Sequence, residues 1–372
     1  MFYAEMKKIW RPVIVIITVM ISILIFFSFM FGCIKPFQAF NGTDSLGVKL
    51  EICSNLIDKY GNSIEPKEFA EAENDYSQLM SGANSVISEN ELFARNGIKN
   101  REDYIRYMQN AINGSDGYDY TAFSEMRDMI INETGLSPLY FEVYEDILQK
   151  YREAYAAGDG RTGILPFEIL VYSNNYFVYL IILCIICAFP AAALVMVNDR
   201  SSNVSACQYS GSKGRRIYMI QYICMNISAA IIVSVAAAAA LYMWKTTGAF
   251  KYAGSAISSF LNEAVSVMPL TYGRLVVYFV LIAYILALAA SGIVFFLSAN
   301  STSTVNMLTK AVPVIIAACI IGLLMQDAFC ESNAIYSAVH IPYCELITVF
   351  IVFAVSVLLN IANYRLLQRH DV

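Results

Sequence analysis

Six stretches of the chain carry no charged residue: 12–34, 169–198, 217–244, 275–309, 311–326 and 346–364. A hydrocarbon core about 30 Å thick takes about 20 helical residues at 1.5 Å each. Five of the six stretches reach or approach that length. The pattern predicts an all-α polytopic membrane protein with six transmembrane helices: span 1 at 12–34, span 2 at 171–197, span 3 at 217–244, span 4 at 274–297, span 5 at 311–326 and span 6 at 346–364. Span 5 is the shortest, its 16 uncharged residues giving about 24 Å of helix. Val305, Met307 and Leu308 are available to start it earlier. The segment 327–345 reads as an external loop or as a re-entrant segment shielded from lipid.

Between spans 1 and 2 the pattern changes to that of a large helical domain, 35–170. Apolar residues recur at helical spacing, and the punctuation predicts helices at 47–59, 66–80, 101–112 and 121–134, the last two stopped by Gly114 and Gly135. Ser88-Glu89-Asn90-Glu91 has the form of a capping box. Ser137-Pro138 is a cap and first-turn pair, after which Leu139, Val143, Ile147, Tyr151 and Tyr155 repeat every four residues up to Gly158. No run of alternating β-branched residues occurs, so this domain is expected to be all-α.

Composition and charge sharpen that picture. Of the 372 residues 58% are apolar, against about 45–50% in soluble domains. Residues 33–170 hold 23 acidic and 12 basic side chains, a net of −11, so a whole-chain charge of −5 leaves +6 on the rest. Nucleic-acid binding, which needs a basic face, is disfavoured. Lys7, Lys8 and Arg11 (segment 1–11), Arg200, Lys213, Arg215 and Arg216 (loop 198–216), and Arg365 and Arg369 (tail 365–372) fall on one side of six alternating spans. The positive-inside bias makes that side the cytoplasm, with both termini cytoplasmic and the protein in the cell membrane. The loop 298–310 then lies inside, the loop 245–273 outside, and the acidic domain 35–170 is extracytoplasmic. The first apolar run exceeds the 7–15 residues or so of a signal-peptide core, so it reads as an anchor.

The chain offers little to build chemistry on. His340 and His370 are its two histidines. Cys184 and Cys187 have the spacing of a metal pair but sit mid-span with no second pair, where cysteine is an ordinary small apolar residue. Ser210 to Lys213 matches S-x-x-K without the companion motifs. No G-x-x-x-x-G-K-[ST] phosphate loop exists, so no catalytic residue, metal ligand or cofactor is assigned to this chain. Cys330 and Cys344 share one external loop and form a candidate disulfide, with Cys33 and Cys53 a second possibility.

The loop after span 2 is the informative one. Asp199-Arg200, a possible short turn from Val204 to Tyr209, a small-residue break at Ser210 to Gly214 and Arg215-Arg216 suit a helix lying in the membrane plane. Together with the interfacial segment Met1 to Arg11 and six spans, it resembles the membrane subunit of a type-two ABC exporter. The resemblance covers the chain in layout and about twenty residues in motif; Cys207 stands where that family has a leucine, and its glycine-threonine pair is missing. It implies two separate ATPase subunits carrying ATP and Mg, a second permease copy or paralogue, and export of a peptide, antibiotic or lipid-like amphiphile. It also implies that Gln208, Tyr209, Lys213, Arg215 and Arg216 contact the ATPase. Asn174, Asn175 and Tyr179 would face the translocation path, although interfacial polarity also explains the two asparagines. A receptor or immunity protein that uses the domain 35–170 without transport is the alternative.

Overall fold

The computed structural model describes residues 2–38, 44–115, 117–158, 160–201, 216–262, 269–326, 333–341 and 343–369. Every regular element among them is helical, and six helices are long and apolar enough to cross a membrane. The chain divides into two compact units. One comprises Met1–Gln38, Ile169–Ala253 and Ala264–Val372; the other comprises Ala39–Glu168 and Gly254–Glu263.

In the first, apolar unit a short helix Phe2–Ile9 precedes span 1, which runs Pro12–Phe37. Proline at its first position costs nothing, because that amide has no helical partner. Five residues of span 1, Phe26–Met30, form a π turn between two α-helical pieces. The remaining spans are Phe167–Asp199, Arg216–Lys245, Tyr272–Ala299, Thr304–Leu323 and Cys344–Gln368. Most exceed the expected bounds, because charged residues such as Lys35, Glu168 and Lys245 are tolerated in end turns. Span 5 is displaced from 311–326. Ser303 caps it by accepting from the Asn306 amide, and Val305, Met307 and Leu308 form its first turns while Lys310 stays exposed.

Span 2 is the centre of this unit. Its apolar window is 81% buried, against 17% for span 1 and 22% for span 5. Small residues permit close approach where helices meet. A Cβ on Gly322 of span 5 would sit 3.1 Å from Ile181 of span 2. A Cβ on Gly292 of span 4 would collide with the Ser356 hydroxyl of span 6. At the same crossing Tyr218 of span 3 donates to Asn360 Oδ1 (2.7 Å), and Asn360 Nδ2 donates to the Gly292 carbonyl (2.8 Å). One buried amide thus ties spans 3, 4 and 6. At the other end of span 3 fully buried Trp244 stacks on Tyr176 (4.8 Å) and donates to the Tyr272 hydroxyl (2.7 Å).

The second, polar unit is a helical domain: Ser45–Tyr60, Pro66–Glu89, Glu91–Arg95, Arg101–Ile112, Tyr120–Thr134 and Pro138–Ala156. Its starts are side-chain caps from Asp44, Asn90, Asn100, Asp119 and Ser137. Ser137 and Gly135 act as the punctuation predicted, Gly135 adopting a left-handed φ of 70°. The capping box at Ser88 does not form. The second helix continues past Gly82 to Glu89, Ser88 donates to the Ser85 carbonyl, and Asn90 caps the next helix instead. Tyr76, Tyr104, Tyr144 and Tyr151 are buried in the core, where burial raises each phenol above its usual pKa.

The boundary expectation at 35–170 is incomplete in one respect: the stretch 254–263, from the connection between spans 3 and 4, belongs to the polar unit. Ser259 Oγ donates to the Gly163 carbonyl (2.6 Å) and accepts from the Leu165 amide (3.0 Å). Tyr151 packs edge-on against Phe260.

Candidate functional site at the N-terminal helix

The sequence FYAEMKKI places Glu5 and Ile9 on one helical face, and both are buried. Span 3 answers with Gln221, Cys224 and Ser228, at spacings of three and four, hence also on one face. The Cys224 thiol lies 3.8 Å from the Phe2 carbonyl, and Ser228 Oγ lies 3.6 Å from Met6 Sδ and accepts from the Trp10 indole at 3.1 Å. Apolar contact alone would leave this helix free to slide. A polar cluster fixes its register.

Lys8 Nζ lies 3.0 Å from Glu5 and 2.8 Å from Asp199, the last residues of span 2. Gln221 Nε2 donates both to Glu5 (2.8 Å) and to Asp199 (2.9 Å). Glu5 and Asp199 are 5% and 7% exposed. Burial pulls the Lys8 pKa down, but its hydrogen bonds and charge contacts with Asp199 and Glu5 outweigh this and hold it above the ordinary lysine value. Lysine is therefore a permanent cation here. The arrangement holds no nucleophile–base pair; it is a clamp joining the N-terminal helix to the ends of spans 2 and 3, the two roots of the segment 202–215.

Of the residues singled out from the sequence, Gln208, Tyr209, Lys213 and Arg215 lie outside the described residues, and Arg216 is the exposed first residue of span 3. Asn174 is buried in the bundle. Asn175 accepts from Gln326, just past span 5, at 3.3 Å, and Tyr179 packs on Phe29 of span 1. Asn175 and Tyr179, four apart, share a helical face that Asn174 does not. Cys330 lies outside the described residues; Cys344, Cys33 and Cys53 are buried free thiols. Glu5 and Gln221 are missed by the sequence reading, and Lys8 enters it only as one of the cations that orient the chain. Their signal was weak but present: an acid three residues before a lysine in a basic segment, and a glutamine at one helical spacing with Cys224 and Ser228 in an uncharged span.

A second constellation lies in the polar unit. A cavity of about 560 Å³ is lined by Lys49, Lys150, Arg161, Glu153, Glu168 and Phe260, among others. Lys49, 8% exposed, bonds both oxygens of Glu168 (2.9 and 3.0 Å), and Arg161 donates to the Asn262 carbonyl (2.8 Å). Beneath it Cys53 is fully buried, and burial pushes its thiol up to about 12.

No family model, curated protein or solved structure matches the chain. The comparisons therefore identify no permease family, and a functional reading rests on the residues themselves.

Proposed function

We propose that this chain is the transmembrane subunit of an ATP-driven ABC exporter, with ATP and Mg bound by two copies of a separate ATPase and with a second permease copy or paralogue completing the path. Its cargo is an amphiphile: a peptide, an antibiotic or a lipid-like molecule. The reading sets the protein in the cell membrane with both termini cytoplasmic, as the lysines and arginines bias it. The observation that carries it is the clamp. Glu5, Lys8, Asp199 and Gln221 join the N-terminal helix to both roots of the 202–215 segment, so a push on that segment reaches spans 1, 2 and 3 together.

The test is purification of the tagged full-length chain from its own membranes under mild detergent. An ATPase of complementary stoichiometry should accompany it, and charge reversal at Arg215 and Arg216 should separate ATP turnover from transport. Reproducible absence of an ATPase overturns the proposal. Failure of the double variant to insert makes the two arginines topology anchors and removes them from the coupling contact.

A second reading, an extracellular-ligand receptor or immunity protein, is favoured by the mixed-charge cavity at Lys49, Arg161 and Glu168. Ligand binding by the full chain that persists without any ATPase and drives no transport selects it.

A further inference from the structure

The apolar unit contains a groove of about 480 Å³ between spans 1 and 3. Val15, Val19, Ile23 and Phe26 of span 1 form one wall, recurring at three or four residues. Ala236 and Ala239 face them from span 3, and Leu183 and Ala191 of span 2 lie behind. The groove exists because the middle of span 1 touches span 2, where Ser22 Oγ lies 3.1 Å from Cys187 Sγ, and not span 3: none of its residues between Ile14 and Ile25 is buried, whereas Ile14, Ile25, Met30 and Ile34 are. Thr18 and Ser22 also line it, but each hydroxyl donates to its own helix, to the Ile14 carbonyl (2.9 Å) and the Thr18 carbonyl (2.8 Å). The groove thus asks for no hydrogen bonds. Apolar cavities of this kind do not hold water.

Its end decides the occupant. Along span 3 the lining runs from Ile232 to Met243 and along span 1 from Ile14 to Met30, about 24 Å at the helical rise, with Ile9 and Trp10 at the end where span 1 begins. Continued back one turn from Val15, the span 1 stripe reaches Arg11, which is exposed, as is Lys7. Among the described residues neither has an ion-pair partner, in contrast to Lys8, which two carboxylates hold. An apolar slot with two exposed cations at the end where span 1 begins matches a lipid with an anionic headgroup. By the positive-inside bias that end faces the cytoplasm, whose leaflet carries such lipids.

We infer that the groove between spans 1 and 3 holds one acyl chain of an anionic phospholipid of the inner leaflet, its phosphate at Lys7 and Arg11. The inference does not depend on the exporter reading, since it needs neither ATPase nor transport. The test is native mass spectrometry of the full-length chain ejected from nanodiscs of equal parts phosphatidylglycerol and phosphatidylcholine. The wild type is expected to retain phosphatidylglycerol in preference to phosphatidylcholine. Ala239→Phe, which puts a ring into the groove from an exposed position, should lower retention by at least about tenfold. Lys7→Gln with Arg11→Gln should retain lipid but lose the preference for phosphatidylglycerol. Val277→Phe, on the exposed face of span 4 and outside the groove lining, should behave as wild type. Undiminished retention in Ala239→Phe, an unchanged preference in the double variant, equal loss in Val277→Phe, or a lipid-free dimer in place of the lipid complex overturns the assignment.

Discussion

Replacing Lys8 by methionine should release the N-terminal helix, by an amount the clamp geometry sets. The oxygens of Glu5 and Asp199 lie 2.8 and 2.9 Å from the same Gln221 nitrogen, so they are no more than about 5.7 Å apart, the sum of those two bonds. With Lys8 gone, two like charges at that separation repel by about 3 kcal/mol at an effective dielectric of 20. That agrees with the roughly 3–5 kcal/mol lost when one partner of a buried ionic cluster is removed. Lifting the N-terminal helix relieves the repulsion, because Glu5 departs and Asp199 stays. Cys224 reports the event: it is buried, with its thiol against the Phe2 carbonyl. At about 1.4 kcal/mol per factor of ten, its modification by a water-soluble maleimide should accelerate by about two orders of magnitude. The rate is read by peptide mass spectrometry on the purified full-length protein. Adding Glu5→Gln to Lys8→Met removes the repulsion and should return the rate most of the way. Less than threefold acceleration in Lys8→Met, or a faster rate still in the double variant, refutes the electrostatic argument.

Three further outcomes are expected. Asn360→Leu removes the side chain to which the buried Tyr218 hydroxyl donates and should lower stability by about 1–3 kcal/mol, seen as a lower thermal midpoint in detergent; Tyr218→Phe in the same chain should recover part of it, and no recovery counts against the pairing. Cys53 is an acid whose folded pKa is raised, so the folded state binds more protons than the unfolded one above the ordinary thiol pKa, and stability falls as pH rises. Hydrogen exchange of the 44–60 peptides should show a loss of about 1.4 kcal/mol per pH unit from about pH 9, absent in Cys53→Ala. Finally, single cysteines at 115 and 213 should label from outside and inside intact cells respectively; labelling of 213 from outside ends the topology argument.

The six spans are legible in the sequence because crossing hydrocarbon excludes charge over about 20 residues, a filter that acts residue by residue along the chain. Their ends are less legible, since the two turns nearest an end tolerate Lys35 or Lys310 and the boundary is then set by caps such as Ser303. The helix expected at 66–80 reaches Glu89 because an interior glycine costs only about 1 kcal/mol, so Ser81-Gly82 was no stop. The clamp was hidden for another reason. Lys8 meets Asp199 across 191 positions and Glu5 meets Gln221 across 216, and no local periodicity encodes a meeting at that range. The addition of 254–263 to the polar unit depends likewise on Ser259 reaching Gly163, 96 positions away.

The burial of span 2 also bears on the order of synthesis. Three of the helices packed against it, spans 3, 4 and 5, are made after it, so when it leaves the insertion machinery it has only span 1 beside it and must first dissolve in lipid. It is as apolar as span 1 and more so than span 5, which enters when most of the bundle already exists. Span 2 therefore carries two specifications in one sequence: enough hydrophobicity to be stable alone, and enough small residues, among them Ala188, Ala191, Ala192 and Ala193, to exchange its lipid neighbours for helices later. A substitution there can pass the first requirement and fail the second, giving a chain that inserts and never assembles.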